Sequence, residues 1–253
     1  MSTSTEAFSS SHEFYDFVYS AKDTEDEVQR FVAAARDASP DMELGNVCEL
    51  GIGTGRHAKV LNSLGITVFG VDSSADMIHH LAEAPGIRAE LADASNFELG
   101  QTFDSVFSFF HVISYQTADE QIEGVFQSAR RHLEAGGTFV FDTWYTPGVI
   151  HLKPETRVVD ISTPGGAARR LSTSHEDVDC SRVDVTQHYT VWDTSGVLSR
   201  EFSETHRMRH FTSNEIRSLA KRFGFRVSSA VGDTTHAAPT RDDWSALYSL
   251  VAI

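Results

Sequence analysis

The sequence predicts an α/β protein built on a doubly wound, mostly parallel β-sheet, with an antiparallel β layer inserted after the fifth strand. Two observations predict this fold. From residue 24 to residue 142, strand-like apolar segments alternate with helix-like segments at short spacing, as in βαβ units. After Pro147 the pattern changes to period-two alternation, and the first rhythm returns at Asn214.

Five strands and four helices are predicted before Pro147. The strands are Val47–Leu50, Ile66–Val71, Ile87–Leu91, Phe103–Phe110 and Thr138–Asp142, and the helices are Thr24–Arg36, His57–Ser63, Asp76–Ala84 and Asp119–Leu133. Thr24 and Glu27 have the spacing of a capping box, so we expect the first helix to begin there. The fourth strand is almost wholly apolar, which is typical of a strand covered on both faces.

The inserted layer is predicted from Arg182–Trp192, which alternates between apolar and polar residues and is followed by the turn-like Asp193–Gly196. Leu198–Phe211 continues as a second extended stretch, so the two are expected to form a hairpin. Further strands are expected at Arg157–Ser162 and Arg169–Thr173, and after them a helix at Asn214–Phe223 and strands at Phe225–Val231 and Leu247–Ile253. We therefore expect a flexible N-terminal segment (1–22), a main domain (23–149 and 212–253) and an inserted antiparallel cap (150–211).

Composition excludes several classes of protein. The 253 residues include 21 basic and 36 acidic ones, and a net charge of −15 disfavours nucleic acid and anionic membrane surfaces as partners. Cys48 and Cys180 are too few for a disulfide framework, and no H-x-x-x-H or H-x-x-E-H motif indicates a metal site. The first eleven residues lack a signal-peptide pattern, and no apolar run approaches the roughly 18 residues of a membrane span. A cytoplasmic enzyme is expected.

A glycine-rich loop lies between the first predicted strand and the helix after it. It reads Glu49-Leu-Gly51-Ile-Gly53-Thr-Gly55, and glycines at such a turn let the backbone approach a ligand. A dinucleotide fingerprint would need a third glycine at position 56, which is Arg56. Glu49 would repel a pyrophosphate but suits a ligand that carries an ammonium group. A tight turn without a ligand is the alternative explanation.

Two further acids end the next two strands. Asp72 follows Gly51 by 21 residues, and Asp93 follows Asp72 by the same interval. A carboxylate at Asp72 can accept both hydroxyls of a ribose, and Asp93 can accept from an adenine amino group. Each acid alone could instead cap a helix, Asp93 especially. Together with Glu49 they lie where open α/β sheets bind ligands, and they predict a ligand with an amino group, a ribose and an adenine but no phosphate.

In this order, the motifs resemble those of the class I S-adenosylmethionine-dependent methyltransferases. The resemblance also rests on Phe103–Phe110, on Leu133-Glu-Ala-Gly-Gly137 and on the terminal strand pair, and it spans Phe14 to Ile253. It implies a Rossmann-like sheet of seven strands, the last antiparallel. Within the class, the chain is similar to N-methyltransferases of nucleotide-linked amino sugars, whose members carry an antiparallel cap after the fifth strand. That similarity rests on Phe14-Tyr15-Asp16, Tyr19, His111–Tyr115, Asp142–Tyr145 and His206–Arg209.

The resemblance implies that ten residues bind the cofactor S-adenosylmethionine. Those expected around its methionine part are Gly51 and Gly53 in the loop, Glu49 at the ammonium group, the backbone around Phe110 at the amine, and Tyr15 and Tyr19 closing over the carboxylate. Those expected around its nucleoside are Asp72 at the ribose, Met77 against the adenine, and Asp93 and Ala94 at the adenine edge.

Catalysis of methyl transfer needs little covalent help, because the cofactor's sulfonium is already a good leaving group. It needs a nucleophile held roughly 3 Å from the methyl carbon, in line with the sulfur and away from water. An amine must be neutral and a hydroxyl must lose its proton, so a base that titrates near neutral pH is useful. His111, just past the fourth strand, is the candidate base; it could also only position substrate or be structural. Tyr115 is a weaker alternative acceptor.

Substrate binding is expected at two places. Trp144 and Tyr145 follow the fifth strand, where they could stack on a substrate ring or pack at a hinge. On the cap, alternation places His206 on one face and Arg207 and Arg209 on the other. The arginines could hold a phosphate or carboxylate of the substrate, or neutralise surface acids.

The sequence therefore predicts S-adenosylmethionine-dependent methylation of a small molecule. An amino group is the expected acceptor, with a hydroxyl as the alternative. Arg56 and Glu49 disfavour a nicotinamide-dependent oxidoreductase, and an inactive regulatory protein with this fold is a further alternative. A small-molecule acceptor is the expected partner, and an exposed edge of the cap could pair two chains as a homodimer.

Overall fold

The chain divides into two compact units in the computed structural model. The larger comprises Asp23–Leu152 and His210–Ile253, and the smaller comprises Lys153–Arg209 with the described part of residues 1–22. The structure describes residues 11, 14–19, 22–81 and 85–253, apart from the side chains of residues 15, 16 and 80. The expectation of a flexible segment at residues 1–22 therefore lies mostly outside the described residues.

The larger unit contains a seven-stranded mixed sheet. Its strands are β1 (Asn46–Leu50), β2 (Thr67–Asp72), β3 (Ile87–Leu91), β4 (Phe103–Ser108), β5 (Leu133–Trp144), β10 (Phe225–Gly232) and β11 (Ser245–Ala252). They lie in the order β3-β2-β1-β4-β5-β11-β10, and only β11 runs antiparallel to its neighbours. The doubly wound sheet with an antiparallel last strand, expected from the sequence, is confirmed.

The strand register brings the predicted acids to one edge of the sheet. β1 pairs in parallel with β2 on one side and with β4 on the other, so that Glu49 lies between Gly70 and Phe107. Asp72 ends β2 opposite Leu91 of β3. Because these strands are parallel, their carboxyl ends and the loops that follow them share this edge.

Helices cover both faces of this sheet, and its central strands β1, β4 and β5 are mostly buried. They are α2 (Thr24–Ala38), α3 (Arg56–Ser63), α4 (Ala75–His80), α5 (Asp119–Arg131), α6 (Thr146–Leu152) and α7 (Ser213–Arg222). On one face Phe126 of α5 contacts Phe139 and Phe141 of β5. On the other, Phe31 of α2 contacts Phe107 of β4.

One local prediction about the helices was wrong. α2 is capped by Asp23, whose side chain accepts from the backbone of Asp26, and not by Thr24. Glu27 is buried and contacts His57, so it does not complete a capping box. The sequence also gave no sign of α6, although Pro147 fits the first turn of a helix, where its missing N–H leaves no bond unmade.

The smaller unit contains a four-stranded antiparallel sheet. Its strands are β6 (Arg157–Thr163), β7 (Gly166–Asp177), β8 (Arg182–Trp192) and β9 (Leu198–Arg209), paired in sequence order. The predicted hairpin is β8–β9. A short helix, α1 (Tyr15–Val18), belongs to the same unit, and Phe14 beside it stacks on Tyr189 at a centroid distance of 5.7 Å.

Within the described part of the chain, we find no helix that combines the length and the apolar character needed to cross a membrane.

Candidate active site

The glycine loop is fastened to the end of β2. The amides of Gly51 and Ile52 donate to the carbonyl oxygen of Val71 over 2.8 and 3.1 Å, and the amide of Gly53 donates to Asp72 Oδ2 over 2.8 Å. Gly51 has a φ of +70°, and a Cβ added there would lie 2.5 Å from a methyl carbon of Val112. Only glycine satisfies both the dihedral and this close approach, so the loop lies directly against the segment that begins at His111.

Glu49 is a buried carboxylate at the base of this loop. Its residue is 1% exposed, and neither carboxylate oxygen has a hydrogen-bond partner among the residues that the structure describes. Burial raises the pKa of Glu49 well above its ordinary value, and the nearby Asp72 and Glu27 raise it further. A buried acid without donors is costly unless a cation neutralises it. The site therefore fits a ligand with an ammonium group.

Asp72 and Asp93 differ in how much of each carboxylate is engaged. Asp72 accepts from the amides of Gly53 and Ser74 through different oxygens, and burial raises its pKa while these bonds lower it in part. Asp93 is exposed, and its Oδ1 accepts from the amide and hydroxyl of Ser95. Asp93 therefore closes a local turn and caps no helix, and both acids keep acceptor capacity for further donors.

His111 lies on strained backbone and is held by an acid from the next strand. Phe110 and His111 have φ values of +55° and +62°, in the left-handed region that such residues seldom adopt. Asp142 Oδ1 accepts from the His111 amide over 2.8 Å, and Oδ2 lies 2.9 Å from His111 Nδ1. The second contact is an ion-pair distance without hydrogen-bond alignment. Asp142 thus fixes the backbone and faces the ring of His111.

The comparisons with known proteins agree with this geometry. Residues 47–137 match a family model described as a methyltransferase domain. The chain is 27% identical over 221 residues to dTDP-3-amino-3,4,6-trideoxy-alpha-D-glucopyranose N,N-dimethyltransferase of Streptomyces venezuelae, which covers 86% of this chain and 91% of the relative. Residues 47–137 are therefore a methyltransferase domain, and the chain is similar to S-adenosylmethionine-dependent methyltransferases over most of its length.

Further relatives match this chain over most of its length. A second curated protein, dTDP-4-amino-2,3,4,6-tetradeoxy-D-glucose N,N-dimethyltransferase of Saccharopolyspora spinosa, is 25% identical over 87% of each chain. Among solved structures, the sugar N-methyltransferase KedS8 from Streptoalloteichus sp ATCC 53650 matches with a TM-score of 0.82 and 22% identity, covering 100% of this chain and 96% of that one. Streptomyces venezuelae DesVI matches with a TM-score of 0.78 and 22% identity over 98% and 100%.

The other predicted cofactor residues of the methyltransferase lie near this edge or in the smaller unit. Met77 is buried in α4, and Ala94 and Phe110 are half-buried. Tyr19 belongs to the smaller unit, where its hydroxyl accepts from Arg170 over 3.3 Å. The side chain of Tyr15 lies outside the described residues, so its role stays a prediction.

Two predicted aromatic residues after β5 have different surroundings. Trp144 is half-buried, and its ring centroid lies 6.5 Å from that of His111 and 5.1 Å from that of Trp244. Tyr145 is buried in the main core, and its hydroxyl donates to the carbonyl oxygen of Pro239. This packing favours a structural role for Tyr145, whereas Trp144 remains available to a substrate ring.

The predicted cap residues fall on opposite faces of β9, as their alternation indicated. His206 is buried, and its Nε2 lies 2.8 Å from Glu204 Oε1. Arg207 is exposed and lies 4.0 Å from Asp184, while Arg209 is half-buried. Their binding of substrate stays a prediction.

Three residues of the methyltransferase site were not identified from the sequence. Asp142 lies in one of the motifs above, but nothing in the sequence pairs it with His111. The sequence predicts Glu27 in a helix cap and His57 at the start of a helix. Each is recognised through a partner at least eight residues away, so only the fold brings them together.

Proposed function

We propose that the protein methylates the amino group of a nucleotide-linked amino sugar, with S-adenosylmethionine as the methyl donor. Three curated relatives that are 25–27% identical over 86–87% of this chain are named as N,N-dimethyltransferases of dTDP-amino sugars. The observation in this chain that carries the proposal is His111, held by Asp142 next to the glycine loop. An amine that gains a methyl group must lose a proton, and His111 offers an acceptor for it.

The cofactor, when bound, supplies an electrophilic methyl group on a positively charged sulfur. The chain's own residues would bind and orient it. Glu49 supports the ammonium group, the glycine loop lines the methionine part, and Asp72 accepts from the ribose hydroxyls. We assign the adenine to Met77, Asp93 and Ala94, the amine to the backbone around Phe110, and the carboxylate to Tyr15 and Tyr19.

His111 would hold the acceptor amine and take its proton. The carboxylate of Asp142 faces Nδ1, so it favours a proton on that nitrogen and leaves Nε2 as the acceptor. Tyr115, at the end of the short 3-10 helix Val112–Tyr115, is the second candidate acceptor.

The remaining assignments concern the acceptor. We assign Trp144 to the face of the sugar ring, and Arg207 and Arg209 of the cap to the phosphates of the nucleotide, with His206 buried behind them in β9. We further propose that the segment 1–22 closes over the cofactor and that the cap, residues 150–211, contributes acceptor binding. A homodimer paired through the cap edge and a cytoplasmic location complete the proposal.

The test is a mass-spectrometric assay with S-adenosylmethionine and matched acceptors. The panel contains dTDP-3-amino and dTDP-4-amino sugars, the corresponding hydroxyl sugars on the same nucleotide, and the free amino sugars. We expect mass gains of one or two methyl groups on a dTDP-amino sugar and none on its hydroxyl counterpart. Methylation of the hydroxyl compounds alone would show an O-methyltransferase and contradict the proposal.

A further inference from the structure

Three titratable side chains from three elements, two buried and one largely buried, form a cluster in the larger unit. Nε2 of His57 in α3 lies 2.8 Å from Glu27 Oε2 in α2, and Nδ1 of the same ring lies 3.7 Å from Glu49 Oε1 in β1. The side chains of Glu27, His57 and Glu49 are 5%, 12% and 1% exposed. The imidazole therefore bridges the acid under the glycine loop to a second buried acid.

Packing fixes the imidazole in this place. The His57 ring stacks flat on Phe109, with centroids 4.4 Å apart and an interplanar angle of 2°. Phe109 in turn packs on Phe31 at 4.1 Å. Because this aromatic stack restrains the ring, the position of the His57 imidazole next to Glu49 is fixed.

Glu49 is the member of the cluster that lacks a hydrogen-bond partner among the described residues. Burial, together with the nearby acids Asp72 and Glu27, raises its pKa, so the protonated carboxyl is favoured while the site is empty. A bound ammonium group would place a positive charge beside this carboxyl and allow its proton to leave.

Other charged groups on the surrounding elements have the following contacts. Asp72 of β2 adds to the negative field at Glu49. Arg56 of α3 donates to Thr24 Oγ1 over 3.1 Å, and Lys59 donates to the carbonyl oxygen of Thr54 over 3.3 Å. On α2, Arg30 pairs with Asp26 at the surface. The thiol of Cys48, next to Glu49 in β1, is buried.

We propose that Glu27 and His57 are positioning residues for Glu49, and that docking of the cofactor's ammonium group at Glu49 releases one proton from this cluster. The inference rests on the assignment of Glu49 to that ammonium group under the proposed function, and it is independent of which acceptor is methylated. No covalent bond changes in this step; the proton passes to solvent and the ammonium takes its place beside the carboxylate.

The test is isothermal titration calorimetry with S-adenosylhomocysteine, which carries the ammonium group but no methyl donor. Titrations in two buffers of different ionisation enthalpy, between pH 6 and pH 8, give the number of protons released. We expect wild type to release about one proton at the acidic end of this range. Release of no proton at any pH would overturn the proposal.

Variants separate positioning from mere stability. We expect His57→Asn to weaken binding about 5- to 10-fold and Glu49→Gln about 10- to 100-fold. Proton release should be lost in Glu49→Gln, and it should extend to higher pH in His57→Asn, because Glu49 loses the neighbouring imidazole. Glu27→Gln tests the contact between Glu27 and His57 from the side of the acid. His151→Asn, at an exposed histidine 3.7 Å from Asp242, is the matched control and should behave as wild type.

Each outcome decides between the two proposals. If His57→Asn weakens binding but releases protons over the same pH range as wild type, His57 is only structural and the inference fails. Because no acceptor is present, a failure to methylate amino sugars leaves this result untouched. If wild type does not bind S-adenosylhomocysteine at all, the assignment of Glu49 to the ammonium group fails as well.

Discussion

Two buried acids at the edge of the sheet have opposite surroundings, and this difference separates their roles. Asp142 already contacts the backbone and ring of His111, so its charge serves the protein's own histidine. Glu49 has no hydrogen-bond partner among the described residues, and the His57 ring lies 3.7 Å away, so its charge suits a ligand. We therefore assign Asp142 to orienting His111 and Glu49 to binding a cation.

Removing the imidazole or its acid should affect turnover more than cofactor binding. We expect His111→Asn to lower kcat by about 100-fold or more, and Asp142→Asn by about 10-fold, because proton acceptance is lost or weakened. The Kd for S-adenosylhomocysteine should stay within roughly 3-fold of wild type, since neither side chain is assigned to the cofactor. Steady-state kinetics and calorimetry measure the two effects.

Tyr115→Phe serves as the comparison for that pair. It should keep most of the activity if His111 takes the proton. A larger loss of kcat in Tyr115→Phe than in His111→Asn would instead make Tyr115 the acceptor.

Glu49→Gln should stabilise the protein in the absence of cofactor. The pKa of Glu49 is raised above its ordinary value of 4.5, so folding is favoured when this group is protonated and is opposed as pH rises from about 4.5 through the raised pKa. An amide avoids that cost. We expect the Tm of the variant to exceed that of wild type by roughly 5 °C at pH 8 and by less at pH 5.

Thermal scans at the two pH values check this expectation. Asp76→Asn, an exposed acid at the start of α4, controls for the loss of one negative charge. A lower Tm for Glu49→Gln than for wild type at pH 8 would show that Glu49 is stabilised by partners in the folded chain.

At the scale of elements, the loop between β10 and β11 is organised by a single buried acid. Asp243 accepts from the amides of Thr234, Thr235 and Thr240 and from the hydroxyls of Thr235 and Thr240. Burial alone would raise the pKa of Asp243, but these donors outweigh it and lower the pKa to about 2. The loop also packs on α6, since a Cβ added at Gly148 would lie 1.7 Å from the Asp243 carbonyl oxygen.

Asp243→Asn should therefore destabilise the protein by about 2 kcal/mol at pH 7. Because the folded pKa is lower than the ordinary value of 3.8, the stabilisation by Asp243 is complete above about pH 4 and is lost as pH falls towards 2. Urea unfolding at pH 7 and pH 3 should show a smaller difference at pH 3. Asp242→Asn, at the exposed neighbouring residue, is the control and should change stability little.

Prediction from the sequence succeeded where the signal is local and failed where it depends on tertiary contacts. β3 and β8 have the predicted bounds, because turns and alternation delimit them. α2 begins as expected, but its cap is Asp23, because Glu27 binds His57 from another helix. The residue types at the strand ends were predictable, whereas the pairing of His111 with Asp142 needed the parallel register of β4 and β5.

At the scale of the whole molecule, the negative charge is unevenly distributed along the chain. Residues 153–209 contain eight basic and nine acidic residues, a formal charge of −1, so the rest of the chain carries nearly all of the −15. An anionic sugar nucleotide would be repelled by most of the protein and least by the cap. The charge distribution is therefore consistent with a cap that contacts the phosphates.

This distribution predicts how the acceptor KM depends on salt. We expect the KM for a dTDP-amino sugar to fall roughly 2- to 5-fold when NaCl is raised from about 10 to about 150 mM, because screening weakens the long-range repulsion. The Kd for S-adenosylhomocysteine, which has little net charge, should change less than about 2-fold. A KM that rises with salt would show that attraction to Arg207 and Arg209 outweighs the repulsion.

The most direct test of the account is a crystal structure with S-adenosylhomocysteine bound. The account predicts the amino group within hydrogen-bond distance of Glu49, the ribose hydroxyls on Asp72, and the adenine between Met77 and Asp93. A nucleoside bound elsewhere, or an amino group that leaves the Glu49 carboxylate without a partner, would contradict it.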